Sequence, residues 1–385
     1  MIIIPEIKNF DHNYKNIILK NIINEEIYTS KKNSLKSGRK FINSCLKGIN
    51  HKFLNININI KRFEVFKEIK ITVIIPIYNT GEIIKSVLKS VQNQNFIDLE
   101  IIIVNDFSKD NTLEIIEKMK KEDSRIKIIN NVKNMGILYS RSIAVLQSKG
   151  EYIINLDHDD LFFDEDVLDT SYKEAKMENY DIISFMYLEC KKYFLPINKM
   201  REGHCNKHIH NLTVFQPELS IYPLFKNEKY STHDSTIWGK LFKNDIYKKA
   251  VNILGKERYS IYNIYNEDQI GVFTIFSIAG SYKYIRKYGI YHLVEHDSAS
   301  NNADSSHRIY VEIFFADIIY DISKNENKKY SAIYTEKKFR SIKNLNQNNL
   351  EYLRKVLNKI IFSQYIEEKY KMEIRKILLR FKENK

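Results

Sequence analysis

From Lys70 onward the chain alternates short apolar runs with stretches of helical period. ITVIIPIY (71–78) is nearly all apolar, and LEIIIVND (99–106), RIKIIN (125–130) and EYIINLD (151–157) repeat the pattern. Between them, GEIIKSVLKSVQNQ sets Ile83, Ile84, Val87, Leu88 and Val91 on one stripe. The next helix offers Leu113, Ile115, Ile116 and Met119, with Ser108 or Asp110 placed to cap it. GILYSRSIAVLQSK supplies a third helix and DIISFMYL (181–188) a further strand. Strands that are apolar on both faces and alternate with amphipathic helices predict an α/β fold, a mostly parallel sheet sandwiched by helices.

Three divisions follow. Residues 1–68 are rich in Asn, Lys and Ile without a clean period and read as an N-terminal extension, partly helical. Residues 69–300 read as the main domain, with the patterned half at 69–188 and a looser half at 189–300. Residues 301–385 read as a helical C-terminal region of charged amphipathic helices.

Ligands of such sheets bind at the carboxyl ends of the strands. That rule puts Tyr78 and Asn79, Asn105 and Asp106, and Asp157 to Asp160 along one rim. Carboxylates gathered at a strand end repel one another, and a divalent cation with oxygen preference, Mg²⁺ or Mn²⁺, relieves that repulsion. A solvated turn capped by Asp160 is the plainer reading. Arg141 is a second anomaly, because it shares an otherwise small and apolar stripe with Ile137, Ala144, Val145 and Ser148. A buried guanidinium needs a partner, and a core carboxylate or a nucleotide base or phosphate would each serve. Glu267 and Asp268 stand directly ahead of an apolar helical run, where they can cap the helix or present a general base. Trp238, the single tryptophan, with Lys240 near it, suits a core position or the wall of a sugar pocket.

Composition adds little to this. The 385 residues, 43% hydrophobic, are ample for a sizeable core, and the formal charge of +13 favours acidic partners without choosing among them. Abundant Ile, Asn, Lys and Tyr with low Gly and Pro resemble AT-rich codon bias, which discounts the charge further. Cys45, Cys190 and Cys205 have neither disulfide nor zinc spacing, so a reducing compartment fits. With no secretory leader and no apolar run of spanning length, a cytoplasmic protein is expected, at most peripheral to a membrane.

Taken in order, these segments resemble the inverting family 2 glycosyltransferases of GT-A fold, over about Ile71 to Ser300. ITVIIPIYN resembles the opening strand of that family and EIIIVNDFSKDNT its uridine-binding segment. NMGILYSRSIAVLQSKGEYIINLDHDD resembles its arginine helix and DxD motif. WGKLF and NEDQIGVF resemble the acceptor-side segments, and YHLVEHDSAS the tail that often carries a metal-binding histidine. The resemblance implies a sugar transferase using a nucleotide sugar, a UDP-sugar by its segment pattern, with Mn²⁺ or Mg²⁺ as cofactor. The acceptor would be a hydroxyl of a glycan, a lipid-linked sugar or a protein-bound sugar. It further implies Pro76, Tyr78, Asn79, Asp106 and Arg141 on the nucleoside side, Asp157 at the ribose or the metal, and Asp159 on the cation. Asp268 would be the base, with Glu267 beside it, Trp238 and Lys240 at the substrate, and His296 a late metal ligand in competition with His292. Where many members have two aspartates and a glycine, this chain has Asn105, Asp106 and Phe107.

Two other readings follow from the same residues. A nucleotidyltransferase also uses acidic metal sites on an α/β sheet, but PIYNTGEII carries only Gly81 where a glycine-rich phosphate loop would lie. A basic module for nucleic acid or anionic membrane accounts for the charge and gives no reason for carboxylates at strand ends, so nucleic acid is not an expected partner.

Overall fold

Strands β1 (Ile71–Ile77) and β2 (Leu99–Asn105) are buried along their whole length, as their almost unbroken apolar sequences require. Each such isoleucine or valine removed from water contributes about 1.5–3 kcal/mol, so this central pair anchors the sheet. The computed structural model describes residues 68–191, 205–208, 214–215, 236–260, 267–294, 305–323, 328–340 and 346–381. The expected N-terminal extension, apart from Glu68, lies outside the described residues, as do His296 and much of 189–265.

The patterned half folds as the periodicity predicts. Helix α1 (Ile83–Gln92) leads to β2, α2 (Thr112–Glu122) to β3 (Ile126–Asn130), and α3 (Ile137–Gln147) to β4 (Tyr152–Asn155). Two expected inner positions face out instead: Ile83 and Leu113 are each 37% exposed. Both stand at the margin of their apolar arc, where the sheet no longer covers them. The cap of α2 is also shifted, for Asn111 is the N-cap while the Asp110 carboxylate accepts from the Thr112 amide at 3.1 Å.

The turn into β4 depends on Gly150. Its amide donates to Thr72 Oγ1 at 2.9 Å, and a Cβ there would lie 2.5 Å from the Thr72 amide nitrogen. Only glycine lets α3 return this close to β1.

Beyond β4 come β5 (Leu161–Phe162), α4 (Val167–Met177), β6 (Ile182–Lys191), β7 (Cys205–His208), β8 (Val214–Phe215) and β9 (Lys240–Lys243). Then follow α5 (Asn244–Leu254), α6 (Lys256–Tyr259), α7 (Glu267–Phe276) and β10 (Tyr282–Val294). Among the described residues the sheet order is β3-β2-β1-β4-β9-β6-β10-β5, with β7 on β6 and β8 on β10. The pairs β1–β2, β2–β3, β1–β4 and β6–β10 are parallel. Strand β9 runs antiparallel between β4 and β6, with Leu241 opposite both Ile154 and Ile183. The sheet is therefore mixed, and the looser half supplies strands to it as well as loops.

Four further helices, α8 (Ser305–Ile322), α9 (Lys329–Phe339), α10 (Gln347–Ile361) and α11 (Glu368–Arg380), complete the described chain. They share one apolar core with α5 and α7, where Phe273 meets Phe315 edge-on at 5.8 Å. Residues 68–385 form one compact unit. Among the described residues no helix is long and apolar enough to cross a membrane.

Candidate active site

The turn after β4 gathers the acidic cluster. The Asp160 amide donates to the Asp157 carbonyl at 3.2 Å, and this reversal brings one oxygen each of Asp157, Asp159 and Asp160 within 4.8 Å of one another. Asp160, structural in the sequence reading, is the fully buried member. Its Oδ1 takes His292 Nδ1 at 2.9 Å and the Leu293 amide at 3.2 Å, while its Oδ2 is buried without a hydrogen-bond partner. Burial, followed by the charges of Asp157 and Asp159, outweighs the histidine and pushes Asp160 up to about 7. Burial also raises Asp159. For His292 burial works the other way, but the Asp160 carboxylate wins and lifts it to about 9. Three converging carboxylates, one with an orphaned buried oxygen, fit a hard divalent cation.

His292 lies flat against Trp238, with centroids 4.5 Å apart and planes at 24°, and Tyr187 meets the indole edge-on at 4.8 Å. Trp238 is in turn bridged to Asn155 at the end of β4. Trp238 thus walls the acidic cluster from within the core. Lys240 is buried, and its ammonium donates to the Thr236 carbonyl at 2.7 Å, which pins the segment entering β9.

On the other side of β1, Pro76 lies in the strand, Tyr78 is 45% exposed at the rim, and Asn79 turns the chain with φ +51°. Asn79 accepts from the Lys109 amide at 2.8 Å and its own amide donates to Ser108 Oγ at 3.0 Å, so the two strand-end loops are latched together. The Asp106 carboxylate accepts from Asn131 Nδ2 and from the amides of Met135 and Gly136, all at 2.7 Å. It therefore fixes the loop that launches α3. Phe107 holds φ +67° with the Lys109 ammonium 3.3 Å from its ring centroid. A glycine would adopt that φ freely, whereas a side chain costs about 1–2 kcal/mol. The glycine of the family pattern has this reason.

Arg141 joins the two halves. Its Nη2 donates to Asp157 Oδ1 at 2.5 Å, and its Nη1 to Glu267 Oε1 at 3.1 Å and to Asp268 Oδ1. The other oxygen of Asp268 accepts from the Ile237 amide at 3.2 Å. The carboxylate partners the sequence allowed for Arg141 are thus supplied by Asp157, Glu267 and Asp268. Burial, then the Asp268 charge, pushes Glu267 up to about 8, and burial raises Asp268 against the pull of Arg141. The opposite end of the sheet behaves differently. There buried Glu100 receives Lys127, Thr72 Oγ1 and the Lys149 amide, and these bonds outweigh desolvation and hold it below the usual carboxylate range. Among the described residues, the carboxylates pushed up to about 7 and about 8, Asp160 and Glu267, both stand at the carboxyl rim.

The structure therefore brings together Asp157, Asp159, Arg141, Glu267 and Asp268 from separate elements, with Asp106 positioning the start of the Arg141 helix. Sequence reasoning named Asp160 in the acidic cluster but gave it a structural part, and it passed over Asn131. The doubled aspartate at 159–160 was the available signal for the first, and nothing in the sequence marked the second.

Residues 72–250 match the sequence model of glycosyl transferase family 2. This segment is a family 2 glycosyltransferase domain. The chain is 32% identical over 230 residues to a cholesterol galactosyltransferase of Borreliella burgdorferi, an alignment covering 58% of this chain and 60% of that protein. It is 26% identical over 215 residues to the GalNAc(5)-diNAcBac-PP-undecaprenol beta-1,3-glucosyltransferase of Campylobacter jejuni, covering 52% and 67%. The chain thus spans about three fifths to two thirds of these relatives. Residues 1–349 of S. aureus TarS, solved with UDP-GlcNAc, superpose with a TM-score of 0.55 at 16% identity, covering 82% of this chain and 92% of that one. The glycosyltransferase domain accordingly has the GT-A fold, and the sheet rim described above is its carboxyl edge.

Proposed function

We propose that the protein is an inverting glycosyltransferase that moves a sugar from a UDP-sugar to a hydroxyl of a glycan or lipid-linked acceptor. The observation that carries this reading is the pairing of an acidic triad, Asp157, Asp159 and Asp160, with Glu267 and Asp268 through the single guanidinium of Arg141. Such a site has one side for a diphosphate and another for a proton acceptor. The named activities of the relatives and the UDP-GlcNAc complex of the TarS fragment support the donor and acceptor classes.

Asp159 and Asp160, with Asp157 beside them, would hold Mn²⁺ or Mg²⁺. Such a cation, when bound, neutralises charge building on a departing diphosphate. Asp268 takes the proton of the acceptor hydroxyl as its oxygen bonds to the anomeric carbon and the bond to the nucleoside diphosphate breaks. A single displacement inverts the anomer. A raised pKa suits Asp268 to accept that proton near neutral pH. Glu267, held protonated at neutral pH, has an O–H to offer donor or acceptor. Asp106, Tyr78 and Asn79 line the nucleoside side, where Phe107 and Lys109 stand at the opening.

Peripheral contact with a membrane belongs to this reading. Helix α11 buries Ile374 and Ile377, while Met372 and Leu379, both 54% exposed, lie on the opposite face. Arg375 and Lys376 flank them. An outward apolar stripe between basic side chains suits a helix lying on an anionic bilayer surface.

A thermal-shift panel of nucleotide sugars with and without Mn²⁺ tests donor, base and metal together. The expected result is a UDP-sugar shift that grows with Mn²⁺. Equal shifts for all nucleotides, or none with any, would remove the reading.

A further inference from the structure

We infer that Arg141 is a positioning residue for the transfer reaction, setting Asp268 in place by tying it to the donor-side Asp157. The inference rests on the function proposed above. Arg141 is held on α3, and its side chain is 3% exposed. One terminal nitrogen serves the end of β4 and the other serves the first turn of α7. Asp157 and Asp268 are therefore set by one rigid, planar group, which a lysine ammonium does not reproduce. The Ile237 amide fixes the remaining oxygen of Asp268 from the segment that bridges to β4. One of its oxygens is thus positioned from α3 and the other from the segment entering β9.

The arrangement separates two roles for the arginine. A residue on the nucleotide would present its terminal nitrogens to the ligand. Here both are committed to carboxylates, and Arg141 acts through Asp268. Displacement requires the base and the leaving-group side to keep a fixed separation across the sugar, and a misplacement of about 1 Å costs roughly 10²-fold.

The test uses the full chain with UDP-sugar and acceptor, comparing Arg141→Lys, Asp268→Asn and the double variant. Arg141→Lys should lower kcat by roughly 10²-fold while the donor KM stays within about threefold. The double variant should be no slower than Asp268→Asn alone, since the arginine has no route to the reaction except the base. A donor KM raised by about tenfold or more with kcat retained would place Arg141 on the donor and overturn the inference, as would effects that multiply. If Arg141→Lys does not fold, Arg141→Gln, alone and with Asp268→Asn, gives the same comparison. Thermal unfolding of the same cycle decides the bridge without activity: the two melting-temperature changes should be non-additive, and strict additivity refutes it. Failure of every UDP-sugar with the unaltered chain would instead defeat the functional reading and leave that unfolding result to judge the bridge.

Discussion

Replacing Asp268 with asparagine separates the chemistry of the site from its architecture. The aspartate accepts from Arg141 on Oδ1 and from the Ile237 amide on Oδ2. Asparagine offers one oxygen, so one of these two bonds is lost, at about 1.5–3 kcal/mol if it is the charge-assisted one. Against this, one of three carboxylates crowded around a single guanidinium loses its charge, and burial already disfavours that charge. The two effects have similar size and opposite sign, so the fold should persist with a modest change in melting temperature. Loss of the base is the larger effect, roughly 10² to 10⁴-fold in rate. At 1.36 kcal/mol per decade this is about 3–5 kcal/mol of transition-state stabilisation. Transfer of labelled sugar, run beside calorimetric titration with UDP and Mn²⁺, measures the two quantities separately. The expected outcome is kcat reduced by that factor with UDP affinity within about threefold. Transfer above a tenth of the original rate would refute the assignment of the base.

Asp159→Ala should abolish the Mn²⁺-dependent part of UDP-sugar binding, by about tenfold or more in affinity, and unchanged Mn²⁺ dependence would count against the cation site. Glu267, pushed up to about 8 in the folded chain against roughly 4.3 unfolded, holds its proton more tightly when folded. Its contribution to stability is therefore complete below the unfolded value and lost as pH rises through about 8. The melting-temperature advantage of Glu267→Gln over the unaltered chain should accordingly widen between pH 5 and about 8.5, and a narrowing gap contradicts the argument. Met372→Asp combined with Leu379→Asp should leave melting unchanged but weaken co-sedimentation with phosphatidylglycerol vesicles by about tenfold. Undiminished sedimentation would show that α11 is not the contact.

The parts of the fold legible in the sequence are those where a single pattern runs unbroken. Strands β1, β2 and β4 are mostly apolar and end in polar clusters, so both their identity and the rim were readable. Strand β9 sets only Leu241 and Phe242 between two lysines, too short an apolar run for a pattern, and β10 is long but irregular. Its pairing with β6 slips between Ile285 and Tyr288 and again before Ile290, and Gly289 packs where a Cβ would overlap the Phe185 ring. Such slips scramble the alternation by which a strand is recognised. Within the site, the anomaly of Arg141 was visible on its stripe. Its partners were not, since Glu267 and Asp268 lie 126 and 127 positions away. Spacing tells which side of a helix a charge occupies and says nothing of what a distant segment brings to it.

The antiparallel course of β9 has a consequence for how such proteins diversify. Between β6 and β9 the chain adds β7 to β6 and β8 to β10, and β9 then pairs with β6 with Phe242 opposite Ile182. The connection from β8 to β9 is consequently held by sheet pairing at both ends. A chimera exchanging residues 216–235 leaves β7 on β6 and β8 on β10 and keeps the register of β9, and with it Trp238 beside Asn155 and the Ile237 amide on Asp268. The sheet thus works as a socket in which the β8–β9 connector is replaceable while the carboxylates of the rim stay put.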